Sequence, residues 1–187
     1  MITGTLQRSH PRSVVARMLL RRFSSSPQAY VLIAVVTVLL WGSTVAFDFV
    51  WDDQYFIVEL ESIRSLKNVP MMFTSLEAQA ARAEEFKVFR PLRTMHYALC
   101  VALAGGRLQP WIFHLSNVLW HAVAAMLLYG VTCLLLRDTR TEKNKQERAP
   151  LLALIAGLAF AVHPVVSEAV CWAKGLDDLM AGVFTLA

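Results

Sequence analysis

Tyr30 to Phe47, YVLIAVVTVLLWGSTVAF, runs for 18 residues without a charge. At about 1.5 Å of rise per residue, such a helix approaches the roughly 30 Å hydrocarbon core of a bilayer. The rest of the chain agrees with a lipid solvent: 56% of its 187 residues are hydrophobic and only 17% are charged, with a mean hydropathy of +0.48. The sequence therefore predicts an all-α polytopic membrane protein. Residues 30–47 form its first transmembrane helix. A second uncharged run predicts a transmembrane helix over 111–136, longer than a bilayer strictly needs and accommodated by tilt. A third predicted span, 149–163, stops at His163-Pro164, because proline breaks the helix and restricts the residue before it. The last run, 176–187, holds 12 residues and is too short to cross, so it is expected to be the truncated start of a fourth span in a longer protein.

Lys and Arg near span ends set orientation. Five arginines (Arg8, Arg12, Arg17, Arg21 and Arg22) and no acid precede the first span, and the 137–148 loop carries five more basic residues within 12 positions. Both the 1–29 segment and this loop are expected to be cytoplasmic. Residues 48–110 hold seven basic and eight acidic groups and form the expected outer loop, as does 164–175. The net charge of +4 is thus a topology signal, and no basic patch interleaved with aromatics argues for nucleic acid. The acid-free, Arg- and Ser-rich first 29 residues also suit a mitochondrial presequence, which stays open beside the topological reading. Cys100, Cys133 and Cys171 make no metal or redox spacing and read as small apolar fillers; a Cys100–Cys171 disulfide is possible but has no support.

A 60-residue loop needs internal structure, so interfacial helices are expected between 48 and 110. One is the charged, Ala-rich EAQAARAEEFKVF; another is PLRTMHYALCVALAGG, opened by Pro91 and closed by Gly105-Gly106.

Three clusters carry candidate chemistry. Asp52 and Asp53, directly after the first span in FVWDDQYF, point in different directions in any regular structure, so one can act as a general base while the other positions it. The pair also suits a helix cap. His114, Asn117 and His121, at i, i+3 and i+7, form one polar stripe within an arc of about 60°. At membrane depth such a stripe faces a partner or a wet cavity. His114 and His121 lie about 10.5 Å apart along the axis, too far to share a metal ion. The third cluster, HPVVSEAVCWAKGLDD, brings His163, Ser167, Glu168, Trp172, Lys174, Asp177 and Asp178 to the same outer face. Arg90 and Lys174 are cations suited to an anionic group, or to snorkelling toward headgroups.

FVWDD, FRPL, PWIFHLSNVLWHAVAAMLLY, and HPVVSEAVCW followed by DDLMAGVF occur in this order over roughly residues 47–187. In these elements the chain resembles the N-terminal membrane region of the transmembrane and tetratricopeptide-repeat-containing O-mannosyltransferases. The resemblance implies the N-terminal portion of a C-type glycosyltransferase helical core. It implies transfer of mannose or another sugar from a polyprenyl (dolichyl) phosphate to Ser or Thr hydroxyls of a polypeptide, with inversion. In that picture Asp52 or Asp53 is the base, Arg90 and Lys174 hold the phosphate, and His163 and Glu168 complete the site. Membrane lipids, the lipid-linked donor and the acceptor polypeptide are the expected partners; neither metal nor cofactor is expected. The membrane would be the endoplasmic reticulum in a eukaryote, or the inner membrane in a bacterium, with a cytoplasmic N-terminus. The chain departs from the family pattern at Glu61, where an Asn is usual, and in AKGLDD, which lacks the usual Arg. A fragment of this length is expected to be inactive by itself. A transporter or proton-pathway subunit built on the polar stripe, and a nonenzymatic membrane scaffold, are the competing expectations.

Overall fold

The computed structural model describes residues 27–138 and 149–187. Most of the basic 1–29 segment, with its presequence-like composition, and most of the 137–148 loop lie outside them. Helix α1 spans Pro27–Trp41 and tightens into a 3₁₀ stretch, Gly42–Ala46. Together they make a 20-residue apolar span, Pro27–Ala46, starting three residues before the sequence-based boundary at Tyr30. Pro27 explains the earlier start, since a proline in the first turn forfeits no helical hydrogen bond. Five further helices follow: α2 (Val69–Met72), α3 (Ala83–Phe86), α4 (Pro91–Leu103), α5 (Pro110–Asp138) and α6 (Ala149–Val162). Then come α7 (Ser167–Cys171) and α8 (Leu176–Leu186). No strand occurs among the described residues.

Helix α5 is the central element, with α1, α6 and α8 packed along it. Its apolar stretch Pro110–Leu136 is the second helix long enough to cross a membrane. Small residues set the approach: a Cβ added to Gly157 would lie 3.0 Å from Ile33 and 3.1 Å from Tyr129. This close contact lets α1, α5 and α6 share one buried core containing Ile33, Ala125, Tyr129, Ala153 and Leu154. Helix α6 breaks at His163-Pro164, where His163 adopts φ −69° and ψ 128°, the extended backbone a following proline imposes. The two parts are bent by 46°, so the described residues hold two helices long and apolar enough to cross a membrane, or three if the bent pair counts as one.

The segment between α1 and α5 departs from expectation. Instead of separate helices laid along a surface, it folds onto α4 around its own core, with Phe56, Ile57, Leu60, Ile63, Met72, Tyr97 and Val101 buried. The Ala-rich helix expected over 77–89 reduces to the single turn α3. Helix propensity is outcompeted there by tertiary hydrogen bonds. The fully buried Gln79 side chain donates to the Met72 carbonyl and accepts from Thr94 Oγ1 at 2.9 Å and from the Arg90 N–H at 3.2 Å. The Ala81 N–H donates to the Tyr55 carbonyl at 2.8 Å. Helix α4 follows its sequence signals, with Pro91 in the first turn, and Gly105 and Gly106 ending it at φ +70° and +80°.

Candidate functional site

The two aspartates separate at a backbone kink. Trp51 adopts φ +50°, a left-handed conformation costly for a bulky residue, and leaves its indole 80% exposed. Beyond it the chain turns Asp53 inward, fully buried, and Asp52 outward. One Asp53 oxygen accepts from the Val50 N–H at 3.0 Å; the other accepts from the Lys174 N–H at 2.9 Å. Lys174 sits in the tight turn Ala173–Gly175 between α7 and α8. Gly175 is packed so closely there that a Cβ would lie 2.8 Å from Ala169 Cα. The Lys174 Nζ returns toward the kink, 3.9 Å from Asp52 Oδ2, and lies 4.5 Å above the Trp172 ring. Trp172 meets Trp51 edge to face, with centroids 6.0 Å apart. Burial pushes the Asp53 carboxyl up to about 6, against the pull of the Val50 and Lys174 amides and of the Lys174 charge. Burial also lowers the Lys174 ammonium, while Asp52 opposes that shift.

Beside this clasp lies a second charged group. Arg90 precedes α4 and Arg93 lies in its first turn; both guanidinium groups converge on Asp177 in the first turn of α8. Arg90 pairs directly with Asp177 Oδ2, and Arg93 Nη1 lies 3.4 Å from the same oxygen. Arg93 is only 2% exposed; it also donates to the Gln79 carbonyl and stacks over Phe56 at 4.7 Å. Arg93 Nε and Asp177 Oδ1 are buried without a hydrogen-bond partner. A cavity of about 420 Å³ opens here, with Arg90, Arg93, Asp177 and Asp178 on its polar side and Leu92, Met180 and Phe184 on its apolar side. It offers a charged end holding two guanidinium groups and two carboxylates, beside two helix N-termini, that continues into an apolar trough.

Asp52, Asp53 and Lys174 therefore come together, with Arg90 in the adjoining cluster. His163 and Glu168 do not join them. His163 Nδ1 accepts from the Val165 N–H at 3.1 Å, a local cap, and the exposed Glu168 forms no hydrogen bond or ion pair with either cluster. The stripe of His114, Asn117 and His121 is fully buried in the helix bundle. Asn117 Nδ2 donates to the Trp172 carbonyl at 2.7 Å and to Ala169 at 3.3 Å, so it holds up the turn that carries Lys174. His121 Nε2 bonds the Ala161 carbonyl at 3.1 Å, and His114 packs edge-on against Phe47. Among the described residues no three His, Cys, Asp or Glu side chains are grouped to hold a metal, and all three cysteines are free.

The sequence reading placed Asp177 in the third cluster without a specific role and did not single out Arg93. A signal existed for Arg93: it lies three residues after Arg90, hence on the same face of the helix that Pro91 starts. The contact between His96 Nε2 and Ser116 Oγ at 2.6 Å also went unforeseen, since it joins residues on different helices.

Comparison with known proteins gives consistent relatives. The chain is 30% identical over 158 residues to protein O-mannosyl-transferase TMTC3 of Homo sapiens, a match covering 83% of this chain and 16% of that protein. It is 28% identical over 162 residues to human protein O-mannosyl-transferase TMTC4, covering 84% of this chain and 22% of that protein. Over 100 residues it is 37% identical to human protein O-mannosyl-transferase TMTC2, covering 54% of this chain and 10% of that protein. The chain thus spans a fifth or less of the length of most of these relatives. No family model matches it, and no solved structure matches it.

Proposed function

This chain belongs to the TMTC family of protein O-mannosyl-transferases, and from that premise we propose that it forms the catalytic face of a membrane glycosyltransferase acting on a lipid-linked sugar. The donor is a polyprenyl or dolichyl phosphate carrying mannose or a related hexose, and the acceptor is a Ser or Thr hydroxyl of a polypeptide. The observation that carries this reading is the meeting of Asp52, Asp53 and Lys174, from two distant segments, beside a cavity with an arginine-lined head and an apolar trough.

Asp52 is the base. It is the half-exposed carboxylate of the pair, held only by a 3.9 Å contact to Lys174, and it can reach a hydroxyl arriving from water. Asp53 is fully buried with both oxygens accepting backbone N–H groups, so it positions and does not touch substrate. The acceptor oxygen attacks the anomeric carbon as its proton passes to Asp52. The bond from that carbon to the phosphate oxygen breaks, and its electron pair leaves with the phosphate. A monoanionic phosphodiester becomes a phosphate monoester with one more negative charge, which Arg90, Arg93 and Lys174 stabilise as it develops. The apolar trough along Leu92, Met180 and Phe184 takes the first isoprene units.

This reading places the site on the outer face, lumenal in the endoplasmic reticulum or periplasmic at a bacterial inner membrane, with the N-terminus cytoplasmic. The test is transfer of labelled sugar from a polyprenyl phosphate donor to a peptide by the full-length protein in membranes. Asp52→Asn should lower kcat by about 10²–10⁴-fold, the usual worth of a general base. It should leave stability nearly unchanged, because an exposed ion pair contributes only about 0–1 kcal/mol. Undiminished transfer would remove Asp52 from the mechanism.

A further inference from the structure

We propose that Asp177 is an internal counter-anion: its carboxylate stands between Arg90 and Arg93 where the donor's phosphate must bind, and it sets how tightly that site holds anions of different charge. The inference rests on the transferase reading above and concerns the release of the lipid product.

The geometry is specific. One oxygen, Asp177 Oδ2, serves both guanidinium groups, while Oδ1 is buried with no partner and Arg93 Nε is likewise unbonded. A pair built only for stability would engage both carboxylate oxygens with the arginine fork, since bidentate geometry is the strong arrangement. Here one donor and one acceptor are left unbonded, buried within residues that line a cavity of about 420 Å³. Arg90 is half-exposed toward that space, whereas Arg93 and Asp177 are nearly closed off, with side chains 2% and 11% exposed. An incoming phosphate oxygen can bond half-exposed Arg90 directly, while Arg93, closed off behind it, contributes its charge through the shared Asp177.

Charge then decides what stays bound. The donor diester carries one negative charge; the monoester product carries up to two. Two arginines alone would hold the dianion more firmly than the monoanion, and turnover would stall on product. The fixed negative charge of Asp177 repels the dianion about twice as strongly, so it narrows the difference and lets the product leave. Asp177 is therefore a specificity-determining residue that favours the lower-charged lipid.

The experiment uses the full-length protein in lipid nanodiscs, with farnesyl phosphate as product analogue and farnesol as its uncharged counterpart. Asp177→Asn should bind farnesyl phosphate about tenfold more tightly than wild type, after discounting the Coulomb effect for the half-open site, and should bind farnesol equally well. Its kcat should fall while KM for the donor also falls, the signature of slowed release. If D177N is too unstable to purify, D177S replaces it. Serine removes the negative charge as asparagine does, and phosphate should again bind more tightly. Farnesyl phosphate affinity that is unchanged or weaker overturns the proposal, and so does a parallel shift for farnesol, which would mean altered packing. Wild type that binds neither lipid overturns the transferase reading itself.

Discussion

Replacing Asp53 by Asn should make the protein less active and, at neutral pH, relatively more stable as the charge is removed. The carboxyl of Asp53 is raised from its ordinary 3.8 to about 6 by burial. At about 1.36 kcal/mol per pH unit, ionised Asp53 costs the fold about 3 kcal/mol relative to a solvated carboxylate. The sign follows from linkage. A group whose folded pKa lies above its unfolded value contributes stability in full below pH 3.8, and that contribution is lost as the pH rises through about 6. The unfolding free energy of wild type, measured against that of D53N, should therefore drop by about 3 kcal/mol between pH 3.5 and pH 7.5, with nearly all of the change inside the window from 3.8 to 6. A constant offset sits beneath this curve. Asn keeps one acceptor where the carboxylate had two, so either the Val50 or the Lys174 N–H loses its partner at a cost of about 1–3 kcal/mol. Reversible unfolding of both proteins in mixed micelles across this pH range reads the difference directly. A difference independent of pH, or one that grows in favour of wild type as pH rises, would refute the reasoning; it would mean that Lys174 and the amides outweigh burial.

The same clasp sets further expectations. Transfer activity of wild type should fall below about pH 6 as Asp53 takes up its proton and loosens Lys174, and D53N should be slower by about a hundredfold, with that acid limb abolished. Gly175→Ala drives a Cβ to 2.8 Å from the Ala169 backbone, so it should destabilise by about 1–3 kcal/mol and reduce activity by displacing Lys174, measured by thermal unfolding and sugar transfer together. Asn117→Ala removes the donor shared by the Trp172 and Ala169 carbonyls and should cost about 1–3 kcal/mol, with faster amide exchange over residues 172–175 as the accompanying readout.

What could be read from sequence followed physical range. The apolar runs are local properties, and they placed α1, α5 and α6 because lipid tolerates only internally satisfied backbone. Helix α4 was equally legible, since Pro91 and Gly105-Gly106 act on their own residues. The Ala-rich stretch from Glu77 to Phe89 was misread because its alanines prefer helix only when nothing else is on offer, and Gln79 had offers from Met72, Arg90 and Thr94. At the site, adjacency showed that Asp52 and Asp53 must diverge; which one turns inward depends on the left-handed Trp51, and no pattern announces a positive φ at tryptophan. Arg93 and Asp177 are 84 residues apart, so nothing in the sequence paired Arg93 with that member of the third cluster until the fold joined them.

The bond between Asp53 and the Lys174 amide closes across 121 residues, and this has a consequence for how the protein is made. At synthesis rates of about 5–20 residues per second, the ribosome needs on the order of 6 to 24 seconds after Asp53 to reach Lys174. Throughout that interval Asp53 has no amide from the later segment to accept, and its carboxylate remains an ordinary hydrated acid. The acidic site is thus assembled only after α1 and α5 have both been delivered to the translocation machinery. A chain released before residue 174 would lack the clasp and leave Asp53 without the Lys174 amide.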